Sequence, residues 1–246
     1  PLPFTCFSRS RAFNTLLGTL IQGFACLSLR NTYFLTISER MPSYKLTYFD
    51  TQGFAEVSRQ LFILSDTPFE DNRIAREDWP EYQKCTPFGK MPVLEVDGKQ
   101  LPQSFAIARY LARKFGYAGK TEWEEAWVDA LGDQFKDYLN ELLPFLRVAW
   151  GTATGDLDEL RKTIGEPVRD KFFGILEKQA ESSGSGFLVG SSFTWIDLVI
   201  VDHMDVVESH LPSFFHGFPA VERVRRNVIE IEKIKEWREK RPKRPY

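Results

Sequence analysis

Residues 87–116, PFGKMPVLEVDGKQLPQSFAIARYLARKFG, constrain the fold more than any other stretch. Val93 to Val96 is a short apolar run of strand type. Asp97-Gly98 is a two-residue turn of the kind that closes tight hairpins, because Gly tolerates positive φ and Asp can adopt it. Lys99 to Leu101 then returns as the partner strand, and Gln103-Ser104 opens a helix. Phe105, Ala108, Leu111, Ala112 and Phe115 recur at helical spacing. Arg113 and Lys114 suit the negative carboxyl end of that helix, and Gly116 suits its stop. A proline before a strand, a hairpin, and polar side chains at a helix start together make a seat for a small anionic, peptide-like ligand.

The preceding segment supplies a matching half. Lys45 to Asp50 (KLTYFD) is strand-like and runs into a turn at Thr51-Gln52-Gly53. Val57, Leu61 and Leu64 then share a helical face, and Phe69 to Ile74 reads as a second strand. A polar link, REDWPEYQKCTPFGK, leads back to the hairpin. Strand, helix, strand, hairpin, helix is the thioredoxin-like order. Redox members carry Cys at the turn after the first strand, and this turn has none, which argues against thiol–disulfide exchange there. Cys85 sits in the link and reads as an incidental thiol.

Tyr48 stands at the end of the first strand instead. A phenol there can donate to a ligand thiolate and favour the anion; on pattern alone, a half-buried structural aromatic explains it better. Met91-Pro92 admits two readings as well. A cis bond would present the Met91 backbone to an extended peptide, whereas a trans proline would simply start the strand. Ser104 is either a helix cap or part of an anion site at the helix start, and the two can coexist.

Whole-chain properties narrow the classes. With 246 residues and a net charge of −2, the chain has no global electrostatic footprint for nucleic acid. The three cysteines, Cys6, Cys26 and Cys85, show no disulfide framework or metal spacing, which fits a reducing compartment and a cytoplasmic default. No run reaches membrane-spanning length. Residues 1–40 are Arg- and Ser-containing, lack an acidic residue before Glu39, and hold a mostly apolar run from Leu16 to Leu29. They read as a leader: mitochondrial-type targeting, a signal-like segment, or translated sequence ahead of an alternative start at Met41.

Three segments, PSYKLTYFD, DWPEYQKCTPFGKMPVLEVDG and LPQSFAIARYLARKFG, resemble the amino-terminal domain of sigma-class glutathione S-transferases, of the nematode and haematopoietic prostaglandin D synthase type. The resemblance runs from about Met41 to the carboxyl end. It implies a glutathione-binding thioredoxin-like domain over 42–119 and an all-helical domain over 121–246 that forms the electrophile pocket. It implies that Tyr48 holds the glutathione thiolate, that Trp79, Gln83, Lys90, Met91 and Pro92 line the peptide, and that Gln103 and Ser104 hold the γ-glutamyl carboxylate. Asp137 would reach the γ-glutamyl amine of a neighbouring subunit, making a homodimer. Glutathione would be a co-substrate, with no permanently bound cofactor. Two departures stand out. Phe54 replaces an arginine usual in the family, and Lys136, between Asp133 and Asp137, replaces an acidic member of the synthases' divalent-metal cluster. The synthases' pocket tryptophan aligns near Pro144. The expected electrophile wall is Phe49, Gly53, Phe54 and Leu139, and no metal ligand set is expected.

Beyond residue 120 the pattern is helical. Thr121 and Glu124 form a capping-box pattern, and Trp123, Trp127, Leu131, Phe135, Leu139 and Leu142 make an i, i+4 stripe that Pro144 is expected to kink or end. Pro167 suits a first helical turn, with Val168, Phe172, Ile175 and Leu176 on one face, and 182–186 (SSGSG) is a connector. Thr194 and Asp197 form a second box, which also resembles the buried helix start of the transferase carboxyl domain. Val221, Val224, Val228 and Trp237 suggest one last amphipathic helix. His203, His210 and His216 lack the spacing of helical zinc ligands. Three functions follow in order: conjugation of glutathione to lipid or other electrophiles or reduction of peroxides, prostaglandin isomerisation as a special case, and a non-catalytic hydrophobic-ligand carrier.

Overall fold

The computed structural model describes residues 41–242, so the expectation for 1–40 lies outside the described residues. From Met41 onward the chain packs as one compact unit. Four strands, β1 (Tyr44–Phe49), β2 (Glu70–Ile74), β3 (Val93–Val96) and β4 (Lys99–Pro102), form one sheet in the order β2-β1-β3-β4. β1 runs parallel to β2 and antiparallel to β3. The helix α1 (Glu56–Leu64) makes the β1–β2 crossover, as a parallel pair requires. Strand alternation buries Tyr44, Leu46 and Tyr48 on one face of β1. Tyr44 and Phe62 pack ring on ring at 5.2 Å on that face.

The hairpin forms as its sequence dictates. Asp97 and Gly98 both have positive φ, 49° and 79°, the signature of a tight two-residue turn. The Asp97 carboxylate also accepts from Ser43 N–H (3.0 Å) and Ser43 hydroxyl (3.2 Å), pinning the turn to the entry of β1. α3 (Ser104–Phe115) follows and ends on left-handed Gly116. The 76–90 link is not wholly irregular: Trp79–Lys84 is a short helix, α2, with Pro80 in its first turn, where a missing N–H costs nothing.

The second half is helical: α4 (Glu122–Ala149), α5 (Leu157–Leu160), α6 (Glu166–Ser183), α7 (Trp195–Glu208), α8 (Pro219–Ile229) and α9 (Glu232–Lys240). A π turn over Arg161–Gly165 joins α5 to α6. Four expectations need correction. Pro144 lies inside α4 and does not end it. Pro144 and Asn140, whose carbonyl loses its partner, are both exposed, on the solvent side of the helix. Trp123 and Trp127 are exposed; the buried stripe of α4 is Val128, Leu131, Gly132, Phe135, Tyr138, Leu142, Phe145 and Leu146. Ile175 is likewise exposed, while Phe172 and Leu176 are buried. The single last helix is two, with Trp237 on α9 and the three valines on α8.

Thr121 caps α4 by accepting from Glu124 N–H, but Glu124 returns to Lys120 N–H rather than to Thr121 itself. The Thr194–Asp197 box is complete and buried. Asp197 accepts from Leu188 N–H (2.8 Å), Thr194 N–H (2.7 Å) and the Thr194 hydroxyl (3.0 Å). Burial pushes its carboxyl up to about 6 against those donors. The two halves meet where Trp195 lies edge-on to Phe105 at 5.4 Å and Arg109 covers its ring at 5.5 Å. Gly132 makes this contact possible: a Cβ there would lie 2.4 Å from the Trp195 ring. Among the described residues no helix is long and apolar enough to cross a membrane.

Candidate active site

The site is built at the carboxyl end of β1. Tyr48 faces the core, is 9% exposed, and ends beside the turn 50–54. Its Oη accepts the backbone N–H of Phe54 at 3.4 Å. That leaves the phenolic hydrogen for another acceptor. Burial raises the phenol's pKa; the Phe54 N–H and the charges of Arg59 and Arg76 oppose it. The net direction keeps Tyr48 protonated near neutral pH, a donor rather than a base. Gly53 is required at this turn on two counts. Its φ is +43°, and a Cβ there would lie 2.7 Å from the Tyr48 oxygen.

The Phe54 side chain is 54% exposed. Residue 54 therefore serves Tyr48 through its backbone, and its side chain is left at the rim. Phe49 follows Tyr48 as the last residue of β1, and its ring stands edge-on to the Tyr48 ring at 5.8 Å. Phe49 also packs against Trp79 at 5.8 Å, with the Arg76 guanidinium over its ring at 5.1 Å. Of the expected wall, Gly53, Phe54 and Phe49 lie beside Tyr48, Phe49 touching both the Tyr48 and Trp79 rings, while Leu139 lies half-buried on α4 against the core. A groove of about 700 Å³ between the α1–β2 connection and α9 includes none of the four.

The peptide-seat residues lie at one end of the sheet. The Met91–Pro92 bond is cis. The β1–β3 ladder ends at Thr47 opposite Val93, so Met91 and Pro92 lie past its last pair. Gln103, at φ 77° and ψ 115°, precedes the first turn of α3, whose leading N–H groups carry the helix's positive end. A non-glycine residue in such a conformation is strained, and strain of this kind concentrates at ligand sites. Ser104 is the first helical residue and Gln103 the residue before it; neither makes a side-chain cap. Ser104 as a cap is therefore set aside. Trp79 is half-buried on α2, while Gln83 and Lys90 are exposed, Gln83 donating to the Gly89 carbonyl at 3.2 Å. Asp137 is exposed on α4. Its neighbour Asp133 bonds to Arg109 at 2.7 Å and to Lys136 at 3.1 Å, which hold its carboxyl below the usual range. Among the described residues no group of three or more His, Cys, Asp or Glu side chains converges as for a metal ion.

Sequence reasoning passed over the charged residues behind this turn. Glu56 and Arg59 are almost fully buried on α1. Two ionisable residues on the inner face of an otherwise apolar helix are the signal that marks them. It likewise passed over the partner of His203: Tyr138 Oη and His203 Nε2 lie 2.9 Å apart in the aromatic core. His210 and His216 are exposed, far from any such role.

Residues 44–113 match the model for the glutathione S-transferase amino-terminal domain, and 140–241 match that for the carboxyl-terminal domain. Glutathione S-transferase 1 of Ascaris suum is 50% identical over 206 residues, covering 84% of this chain and all of that protein. The structure of monomeric Na-GST-3, from the hookworm Necator americanus, is 47% identical with a TM-score of 0.80, covering 83% of this chain and all of that one. A Nu-class transferase from Haemonchus contortus is 49% identical with a TM-score of 0.79, covering 84% of this chain and all of that one. A prostaglandin synthase D from Nilaparvata lugens stands further off, at 35% identity and a TM-score of 0.73 over 82% of this chain and 99% of that one. The chain belongs to the glutathione S-transferase family.

Proposed function

We propose that this protein is an enzyme that adds the thiolate of glutathione to electrophilic small molecules, with Tyr48 donating a hydrogen bond to that thiolate. The observation that carries this reading is the Tyr48 hydrogen-bond pattern: the oxygen takes Phe54 N–H and burial keeps the phenol protonated, so its own hydrogen remains available to donate to a ligand. A donor at that position stabilises the thiolate more than the thiol, so the nucleophile is present at neutral pH. The sulfur then forms a bond to the electrophilic carbon; with an aromatic halide, the carbon–halogen bond breaks and the halide ion leaves with the bonding pair.

The remaining roles follow the family pattern. Met91, flanking the cis-proline with Lys90, pairs its backbone with the cysteinyl part, Gln103 and Ser104 take the γ-glutamyl carboxylate, Trp79 contacts the glycyl end, and Gln83 stands where the family often has a lysine or glutamine. The amino-terminal part, 42–119, is the glutathione domain, and 121–246 supplies the electrophile side. We assign the chain to a sigma-like group in its nematode branch, working as a cytoplasmic homodimer in which Asp137 completes the neighbour's seat. Retention on immobilised glutathione and turnover of a generic aromatic halide test the central claim. Binding without turnover supports a carrier instead, and no retention overturns the site. Gel filtration that finds only monomer removes Asp137 from its role. Prostaglandin endoperoxide isomerisation is the narrower reading; the pairing of Asp133 with Arg109 and Lys136 disfavours the metal-assisted form of it.

A further inference from the structure

Behind the Tyr48 turn lies an ion pair closed off from solvent, with Glu56 1% and Arg59 0% exposed. Arg59 Nη1 donates to the carbonyls of Thr51 (2.7 Å) and Gln52 (3.2 Å) and to Glu56 Oε2 (3.3 Å), while its Nε donates to Asp71 at 3.0 Å. The other Glu56 oxygen, Oε1, accepts from Trp237 Nε1 at 2.7 Å and Arg241 Nη1 at 2.8 Å. Trp237 belongs to α9 and Arg241 follows directly after it. A continuous run of hydrogen bonds therefore leads from the last helix, through Glu56 and Arg59, to two carbonyls of the turn. That turn carries Gly53 and the Phe54 N–H against the Tyr48 oxygen.

A buried ion pair is a poor way to gain stability, because desolvating both charges offsets their attraction. Its geometric effect is specific. Two carbonyls held by one planar guanidinium fix the backbone that leads into the single 3-10 turn Gly53–Ala55. The same guanidinium charge acts on Tyr48 through space, favouring the ionised side.

We propose that Arg59 is a positioning residue for Tyr48, and that Trp237 and Arg241 anchor it from the carboxyl-terminal helix through Glu56. The proposal rests on the Tyr48 reading above. α9 does not touch the Tyr48 oxygen; it sets where the turn holds it. Misplacement of a catalytic group costs rate far more than binding, so the effect appears in kcat and in the acidity of the bound thiol.

The test uses the full chain with Trp237→Phe, which keeps the ring and removes one donor to Glu56, and with Arg59→Lys, which keeps the charge and loses the fork. Trp237→Phe is expected to lower kcat for an aromatic halide by about tenfold, raise the pH at which kcat/KM reaches its plateau, and leave the KM for glutathione within about twofold. Arg59→Lys is expected to act in the same direction and more strongly. Lys240→Ala, on the same helix but paired with Glu236, is expected to leave kcat unchanged. The deciding measurement is the double variant. In a Tyr48→Phe background, Trp237→Phe is expected to cost nothing further, because the group it positions is gone. A Trp237→Phe loss that is undiminished in that background, or one seen in melting temperature with an unmoved pH profile, overturns the proposal. Failure of the underlying reading looks different: Tyr48→Phe alone would then retain full turnover.

Discussion

Tyr48 and Tyr138 are both buried phenols with raised pKa, yet they do opposite things. Tyr138 lies among Phe135, Phe172 and Phe173, and its oxygen meets His203 Nε2 at 2.9 Å. Burial holds that histidine neutral, pushing its pKa down to about 3. The pair is complete, and each partner satisfies the other. Tyr48 sits at the edge of the fold, where its hydrogen-bond partner among the described residues is a backbone donor. The two show that a buried tyrosine becomes a site when its acceptor side is filled by the protein and its donor side is left for something else.

The strongest way to break this contrast is to remove both hydroxyls in turn. Tyr48→Phe is expected to lower kcat/KM by roughly a hundredfold or more, the scale of losing one donor to a developing anion, with little change in melting. Tyr138→Phe is expected to leave kcat/KM intact and destabilise the fold by about 1–3 kcal/mol, because His203 then lacks its buried partner. Equal activity losses in the two variants would erase the distinction.

Gly53→Ala tests whether the turn must approach the phenol closely. A Cβ at 2.7 Å from the oxygen, on a residue with φ +43°, forces the turn or the ring to move. About a tenfold loss of kcat is expected, since even small displacements of a catalytic group are costly. Steady-state kinetics of the variant give the answer directly.

Acid and base unfolding probe the buried side of the contrast. His203 has a folded pKa below its unfolded value, so its contribution is present above about pH 6.5 and is lost as pH falls toward about 3. Chemical unfolding at stepped pH should show this acid loss, and His203→Gln should flatten it. Asp202 behaves oppositely. Desolvation and the nearby Glu56 carboxylate push its carboxyl up to about 8, against the Arg241 charge and the Gln60 donor at 2.8 Å. Its contribution is greatest at low pH and declines as pH rises from about 4 through about 8. Asp202→Asn is therefore expected to gain stability relative to the parent between pH 8 and 9. A parent and variant that converge there would count against it.

The smallest effect is expected from Phe54→Arg. The Tyr48 contact runs through the backbone N–H of residue 54, so restoring the family's arginine should change kcat/KM for a generic halide only severalfold. Its influence should fall on the choice of electrophile at the rim. A large gain would mean that the side chain, and not the backbone, governs the phenol.

Much of this was legible where the chain signals locally. The Asp97-Gly98 turn, the Gly116 stop and the Thr194–Asp197 box each depend on a few adjacent residues, and all three formed as their patterns require. What escaped depends on distant partners. Glu56 and Arg59 read as polar positions on a helix until α9 arrives from 181 residues away in sequence with Trp237. Pro144 reads as a kink or an end of the helix, and α4 runs on through it with the freed Asn140 carbonyl on an exposed residue. Trp123 and Trp127 continue the i, i+4 rhythm of α4, but no element lies over that first turn to bury them within the described chain.

The β2-β1-β3-β4 order leaves β2 and β4 as sheet edges, and unpaired edges invite other chains to dock by backbone pairing. β2 reads EDNRI, and Glu70 pairs with Lys45, Asp71 with Arg59 and Arg73, and Arg73 also with Asp50. β4 is four residues long and ends in Pro102, which has no N–H to offer. A strand adding to either edge would meet desolvated charge on one side and a truncated ladder on the other. Asp71, which holds the Arg59 Nε behind the turn beside Tyr48, is one of those edge charges.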